Sequence, residues 1–404
     1  MITEVRQQPE EKDGKEKTED FYSEALRLWL YQLPGIGRKT INKLLQSGIY
    51  ENRLEIAAAF LETRPDRLKD ILQETFSERE SLSLTEKIQS GRKSDPETLL
   101  RELKQKDNRF YDAEHPGFPE RLKKIPDPPD GIYVKGRLPD PDRPSIAIIG
   151  ARTASEYGKQ QAGRFAQTLA REGIQIISGM ARGIDGIAGR AAVQTGCSFA
   201  VLGCGPDVIY PGENEDLYRK LCARGGVLSE YPPGTAADRR LFPARNRIIS
   251  GLADAVLVIE ARISSGTMIT VDRAAEQGRE VYAVPGRVCD AFSAGCNKLI
   301  REGAGCAVSP EALLEDLYGL ENRQEETDLL KAKEAALKDI LSVGEYRVYR
   351  LLSGQDPKSP DELITAWNEE SKDHISGAEI MQLLVRLCIM GYAAEYGNGK
   401  YLKK

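Results

Sequence analysis

Six short aliphatic and β-branched runs recur between residues 145 and 284, at 145–150, 175–178, 198–203, 226–230, 255–261 and 280–284, and segments of helical length separate them. Continuous apolar runs, as opposed to alternating ones, belong to strands covered on both faces, and strands joined through helices run parallel. With right-handed crossovers, few topologies remain. The pattern predicts an α/β fold with a doubly wound, Rossmann-like parallel sheet, in a domain spanning 108–320.

The flanks differ in character. Residues 1–20 are charged and poor in apolar side chains, and are expected to be disordered. From Phe21 the pattern turns helical: Ala25–Leu33 runs into the tight turn Pro34-Gly-Ile-Gly37 and then Arg38–Leu45, with further helical stretches at 52–61, 65–75 and 96–105. This predicts a small helical domain over 21–107, of SAM-like or helix-hairpin-helix type. The hairpin can offer backbone N–H groups to a DNA phosphate or serve as packing alone. A charged linker at 321–343 leads to helical stretches at 344–353, 360–368 and 376–390 and a hairpin signal at Gly397-Asn-Gly399. Three helices and a two-stranded wing predict a winged-helix domain over 344–404. Its acidic second helix, with Asp361, Glu362, Glu369 and Glu370, favours protein docking over duplex binding.

Composition removes several classes of function. No run approaches about 18 apolar residues, and the first ten residues lack the apolar core of a signal peptide, so a cytoplasmic protein without membrane contact is expected. The seven cysteines form no Cys-x-x-Cys pair and are read as reduced thiols. Two distant histidines, His115 and His374, leave no Ser-His-Asp triad or His-rich metal site. Neither a metal nor a cofactor is expected.

In open α/β sheets, ligands sit beyond the carboxyl ends of the strands. Here those ends carry Gly150-Ala-Arg152, Ser178-Gly179-Met-Ala-Arg182, Gly203-Cys-Gly205, the run Arg239-Arg-Leu-Phe-Pro-Ala-Arg-Asn-Arg247, and Ser265-Gly266-Thr267. The 239–247 run holds four guanidiniums, one ring and no acid on a chain of net charge −5, which points to a focused anionic-ligand site. Arginine forks pair with phosphates and an aromatic face stacks on a base, so single-stranded DNA suits this chemistry. The candidate contacts are Arg152, Ser178, Gly179, Arg182, Arg239, Phe242, Arg245, Asn246, Arg247, Ser265, Gly266 and Thr267. Arg152, Arg182, Arg245 and Arg247 are expected to neutralise about four phosphates. Pro243 is expected to hold Leu241 and Phe242 in extended backbone. Asp185 and Glu260 are either catalytic carboxylates or groups that position arginines and cap helices, the second being favoured because nothing in the sequence pairs them.

Gly150-x-Arg, Ser155-x-Tyr-Gly158, Ser178-Gly-Met-Ala-Arg-Gly-Ile-Asp185, Ala200-Val-Leu-Gly-Cys-Gly-x-Asp207, Tyr210-Pro-x-x-Asn214, Ser229-Glu230, Phe242-Pro-x-Arg-Asn-Arg-Ile-Ile-Ser-Gly251, Glu260-Ala, Ser265-Gly-Thr, Gly278-Arg-Glu-Val281, Ala283-Val-Pro-Gly286 and Asn297-x-Leu-Ile300 together resemble the DNA-processing protein A (DprA/Smf) family over about residues 108–308. The resemblance implies a homodimeric protein of natural transformation that binds and protects incoming single strands and loads the RecA recombinase. It further implies that Arg152, Arg239, Phe242, Arg245 and Asn246 line the strand pocket. Gly189 and Cys296 depart from the family pattern, at positions where it has His and Thr. The competing expectation is a nucleotide-binding or nucleoside-monophosphate-hydrolysing protein, whose Pro-Gly-Gly-x-Gly-Thr-x-x-Glu pattern is matched only by Ser264-Ser-Gly-Thr267, without the glutamate.

Overall fold

The computed structural model describes residues 10–319, 337–338, 340–352, 358–370, 374–395 and 399–403. The chain forms two compact units, Met1–Leu314 and Glu315–Lys404.

The first unit begins with six helices: α1 (Glu10–Gln32), α2 (Arg38–Gln46), α3 (Arg53–Glu62), α4 (Pro65–Gln73), α5 (Glu78–Gly91) and α6 (Pro96–Gln105). Helix α1 starts inside the segment expected to be disordered; its Glu- and Lys-rich first turns are good helix formers. Sequence periodicity missed α5, whose apolar stripe is thin, although Ser77 and Glu80 form a complete capping box.

A nine-stranded sheet follows, built from β1 (Asn108–Asp112), β2 (Gly131–Gly136), β3 (Ser145–Ile149), β4 (Gln175–Ser178), β5 (Ser198–Leu202), β6 (Gly226–Ser229), β7 (Ala255–Val258), β8 (Glu280–Ala283) and β9 (Gly305–Cys306). The order across it is β1-β2-β6-β5-β4-β3-β7-β8-β9. Strands β3 to β9 are parallel throughout, as expected, while β1 and β2 add an antiparallel edge that the sequence pattern did not reveal. The helices that bear on the site are α7 (Glu120–Lys123), α8 (Glu156–Arg171), α9 (Ile184–Thr195), α10 (Glu215–Arg224), α11 (Leu241–Leu252) and α12 (Gly266–Glu276). Every residue of β3, β4, β5, β6 and β7 is buried, which explains their unbroken apolar character. From β3 the chain winds outward through β4, β5 and β6, then crosses back to β7 on the other side. The switch point, and hence the crevice, lies between the carboxyl ends of β3 and β7.

The helical layer and the sheet share one core. Leu28, Leu100 and Leu103 pack with Phe110 of β1 and Tyr133 of β2. The rings of Tyr31, Phe110 and Tyr133 lie 4.8 to 5.8 Å apart. The Tyr31 hydroxyl donates to the Glu230 carbonyl at 2.7 Å, and Arg53 pairs with Asp130 at 2.8 Å. Burial, reinforced by the nearby Glu230 charge, holds the Tyr31 phenol well above its ordinary pKa.

In the second unit, α13 (Val343–Leu351), α14 (Pro360–Glu370) and α15 (Gly377–Ile389) enclose a core of Val348, Leu363, Ile380, Leu384 and Leu387. An antiparallel pair, β10 (Ala393–Glu395) and β11 (Tyr401–Lys403), completes it. Most of the 321–343 linker, and Gly397 and Asn398 of the hairpin signal, lie outside the described residues. Among the described residues, no helix is long and apolar enough to cross a membrane.

Because Phe110 belongs to the core shared by the helical layer and the sheet, Phe110→Ala is expected to cost about 3–5 kcal/mol. Thermal denaturation followed by circular dichroism should show a lower midpoint with both layers melting together. An unchanged midpoint would mean the layers are independent.

Candidate nucleic-acid interface

Residues 239–247 divide between an exposed approach and the start of α11. The helix begins at Leu241, so Phe242 and Pro243 sit in its first turn and not in extended backbone. The reason is local: first-turn N–H groups have no intrahelical acceptor, so proline's missing donor costs nothing there. Helical spacing then places Phe242, Arg245, Asn246 and Ile249 on the face lining a cleft of about 640 Å³. Gly150 to Thr153 after β3, and Arg262 with Ser265 to Thr267 after β7, provide the other walls, across the switch point.

Phe242 is half-buried, with neighbours against part of its ring. Tyr210 stacks on it at 5.5 Å and 21°. The guanidinium carbons of Arg152 and Arg245 lie 5.6 and 5.8 Å from its centre. Gly203 admits the ring, since a Cβ there would stand 2.6 Å from it.

Arg245 is only 5% exposed. Its Nη1 donates to the Gly179 carbonyl at 2.9 Å and also to that of Val201. Gly179 has no side chain because a Cβ would lie 2.5 Å from this guanidinium. Its N–H donates to Asp185 Oδ2 at 3.1 Å. Burial pushes the Asp185 carboxyl above its ordinary pKa against the pull of Arg245, and burial lowers Arg245 to about 10 against the pull of Asp185. Asp185 therefore balances a buried cation, and Glu260 accepts both the N–H and the hydroxyl of Ser155 at the start of α8. Both carboxylates play the positioning roles favoured from sequence.

Arg247, 7% exposed, is turned away from the cleft. Its two Nη atoms donate to Glu230 at 2.9 and 2.7 Å, and Nε to Asp127 Oδ2 at 3.0 Å. Burial opposes its charge, but the Glu230 hydrogen bonds and the two carboxylates leave its pKa raised. Arg182 is exposed, pairs with Glu213 at 2.8 Å and does not line the cleft. Ser178 is buried with its hydroxyl on the Ile148 carbonyl. The cleft thus gathers Arg152, Arg239, Phe242, Arg245, Asn246, Ser265, Gly266 and Thr267, and not Ser178, Gly179, Arg182 or Arg247.

Sequence reasoning missed two neighbours. Arg262, exposed and 4.7 Å over the Phe292 ring, lines the cleft after β7, where the strand-end rule could have found it. Tyr210 lies in a motif noted only for its resemblance. Ser265 is the residue before α12; its Oγ caps nothing and has no hydrogen-bond partner among the described residues, and the helix N-terminus opens on the cleft. Exposed Arg239 forms no ion pair among the described residues. Gly189 packs on Leu217 and Cys296 is buried with its thiol on the Val258 carbonyl, so neither departure touches the cleft.

Compared with known families, residues 109–318 match DNA recombination-mediator protein A. The chain belongs to that family. Protein Smf of Synechocystis sp. is 36% identical over 292 residues, 71% of this chain and 70% of that protein. DNA processing protein DprA of Streptococcus pneumoniae is 42% identical over 198 residues, 49% of this chain and 70% of its own. The X-ray structure of DNA processing protein A from Streptococcus pneumoniae matches with a TM-score of 0.56 at 34% identity, covering 69% of this chain and 97% of that one. Most of the helical layer and the second unit fall outside the recombination-mediator match.

Removing Arg247 leaves Glu230 unpaired beside the core. Arg247→Ala is expected to lose about 3 kcal/mol or more in denaturant unfolding. A variant as stable as the parent would show that the ion pairs are dispensable.

Proposed function

We propose that the cleft between the β3 and β7 ends holds single-stranded DNA, and that the protein is a non-enzymatic strand binder acting in natural transformation. The carrying observation is Phe242, a ring set among guanidiniums on the wall of a cleft whose exposed cations are Arg152, Arg239 and Arg262. Such a site tracks a backbone by charge and accepts any base by its face. The backbone N–H groups at the start of α12 add a seat for one phosphate. The names of the relatives, DNA processing protein and recombination-mediator protein, support a DNA ligand.

Further parts of the reading rest on family resemblance: protection of incoming strands, loading of the RecA recombinase, a homodimer joined through the Rossmann-like domain, and a cytoplasmic setting. The second unit, three helices and an antiparallel pair, is proposed as a winged helix used for docking. The turn at Pro34–Gly37 is proposed as a packing hairpin, because Ile36 is buried and Arg38 donates to the Pro128 carbonyl at 2.8 Å. Asp185, the cleft's lining carboxylate, is committed to Gly179 and Arg245, which weighs against a nucleotide hydrolase.

With three exposed arginines lining the cleft, log affinity for oligo(dT) should fall with log salt at a slope of about −2. A flat response in fluorescence anisotropy would remove the electrostatic account. Base stacking on an aromatic ring contributes about 1–3 kcal/mol, so Phe242→Ala should weaken binding about fivefold or more, with Phe242→Tyr retaining most affinity and the salt slope unchanged. A folded Phe242→Ala protein that binds normally would end the stacking role.

A further inference from the structure

We infer that Tyr210 is a second stacking surface of the strand site, placed so that a nucleobase lies on its open face while its other face rests on Phe242. The inference rests on the reading of the cleft as a single-strand site and extends it to a residue outside the cleft walls.

Three observations carry it. First, Phe242 is partly covered: Tyr210 stacks on it, Arg152 and Arg245 approach it, and Gly203 lies against it. Tyr210, by contrast, is 43% exposed as a residue although its ring stacks on Phe242. The most accessible aromatic surface of the pair is therefore the tyrosine's.

Second, the loop that carries Tyr210 is held in place. The Gly205 N–H donates to the Thr235 carbonyl at 2.8 Å, and the Val208 N–H to the Gly205 carbonyl at 3.0 Å. Asp207 accepts the Gly234 N–H at 2.7 Å. Just beyond, the Asn214 amide donates to the carbonyls of Met180 and Ala181 at 2.9 and 3.1 Å. A ring fixed before its ligand arrives loses little freedom on binding.

Third, no protein group holds the Tyr210 hydroxyl among the described residues, so ring stacking accounts for the placement of this side chain. A lid that only shielded Phe242 from water would need the same ring, but would not touch a base. Stacking is tolerant of sequence because every base has a π-face. A base on Tyr210 would continue the stack formed by Tyr210 and Phe242.

The test uses the full chain and oligo(dT). Tyr210→Ala should weaken binding about fivefold or more, and Tyr210→Phe should restore it. In Tyr210→Trp, emission measured against the parent protein should be quenched by saturating oligo(dT) but not by an abasic deoxyribose-phosphate oligomer of equal length. The parent's two tryptophans, Trp29 and Trp367, are both buried. If Tyr210→Ala binds like the parent, or if both oligomers quench Tyr210→Trp equally, Tyr210 is a lid and the inference is overturned. Should Tyr210→Ala fail to fold, the Tyr210→Trp spectra decide alone. Normal binding by Tyr210→Ala together with a Phe242→Ala defect would overturn Tyr210's role and leave the cleft reading standing. Normal binding by both variants would remove the cleft reading itself.

Discussion

The rim of the sheet is held by one buried guanidinium. Arg245 reaches back from α11 to the carbonyls that follow β4 and end β5, and Asp185 at the start of α9 balances its charge while holding the Gly179 N–H. Two strand-end segments and two helices thereby meet at a single planar group. A buried cation is costly unless its hydrogen bonds and charge are answered; here two carbonyls meet Nη1 and the cleft-lining Asp185 balances the charge, while Nε has no hydrogen-bond partner among the described residues. Phe242, one turn earlier on the same helix, takes its position from that anchor, and the Tyr210 stack in turn depends on Phe242.

A run that looks uniform in sequence is sorted by the helix into separate functions. Arg239 stays in solvent, Arg240 pairs with Asp238 at 2.6 Å, Arg245 becomes internal, and Arg247 faces Glu230 and Asp127. Among the described residues, these four like residues in nine positions thus contribute one cation without an ion pair to the cleft. The remaining positive charge comes from Arg152 and Arg262, on loops separated from this run in sequence but adjacent across the switch point.

This explains what was legible beforehand. The six expected strands appear within a few residues of their expected positions, and in five of them burial on both faces writes itself into composition, whereas β8 is buried only toward its end. The rim at their carboxyl ends was read as the ligand side, whereas the strand order that puts the cleft between β3 and β7 was not legible. The β1 strand, Asn108-Arg-Phe-Tyr-Asp112, did not announce itself, because its burial alternates but its polarity does not: Asn108 and Asp112 share the buried side with Phe110. The destination of Arg245 and Arg247 was equally hidden: their partners Val201, Glu230 and Asp127 lie 44, 17 and 120 residues away, and no local pattern encodes such pairings. Pro243 misled because the rule for the residue before proline was applied without the exception that a helix's first turn allows.

The antiparallel edge has a separate consequence. Phe110 and Tyr133 are large, fully enclosed aromatics on β1 and β2, and Gly131 is bare because a Cβ there would stand 2.5 Å from the Phe110 ring. These positions make sense only under the cover of α1 and α6. A homologue without that cover would face solvent at the same spots and would need polar or small residues there. The pair of aromatics is thus a fingerprint by which an uncharacterised sequence can reveal, before any folding is considered, whether its sheet evolved together with a helical roof or without one.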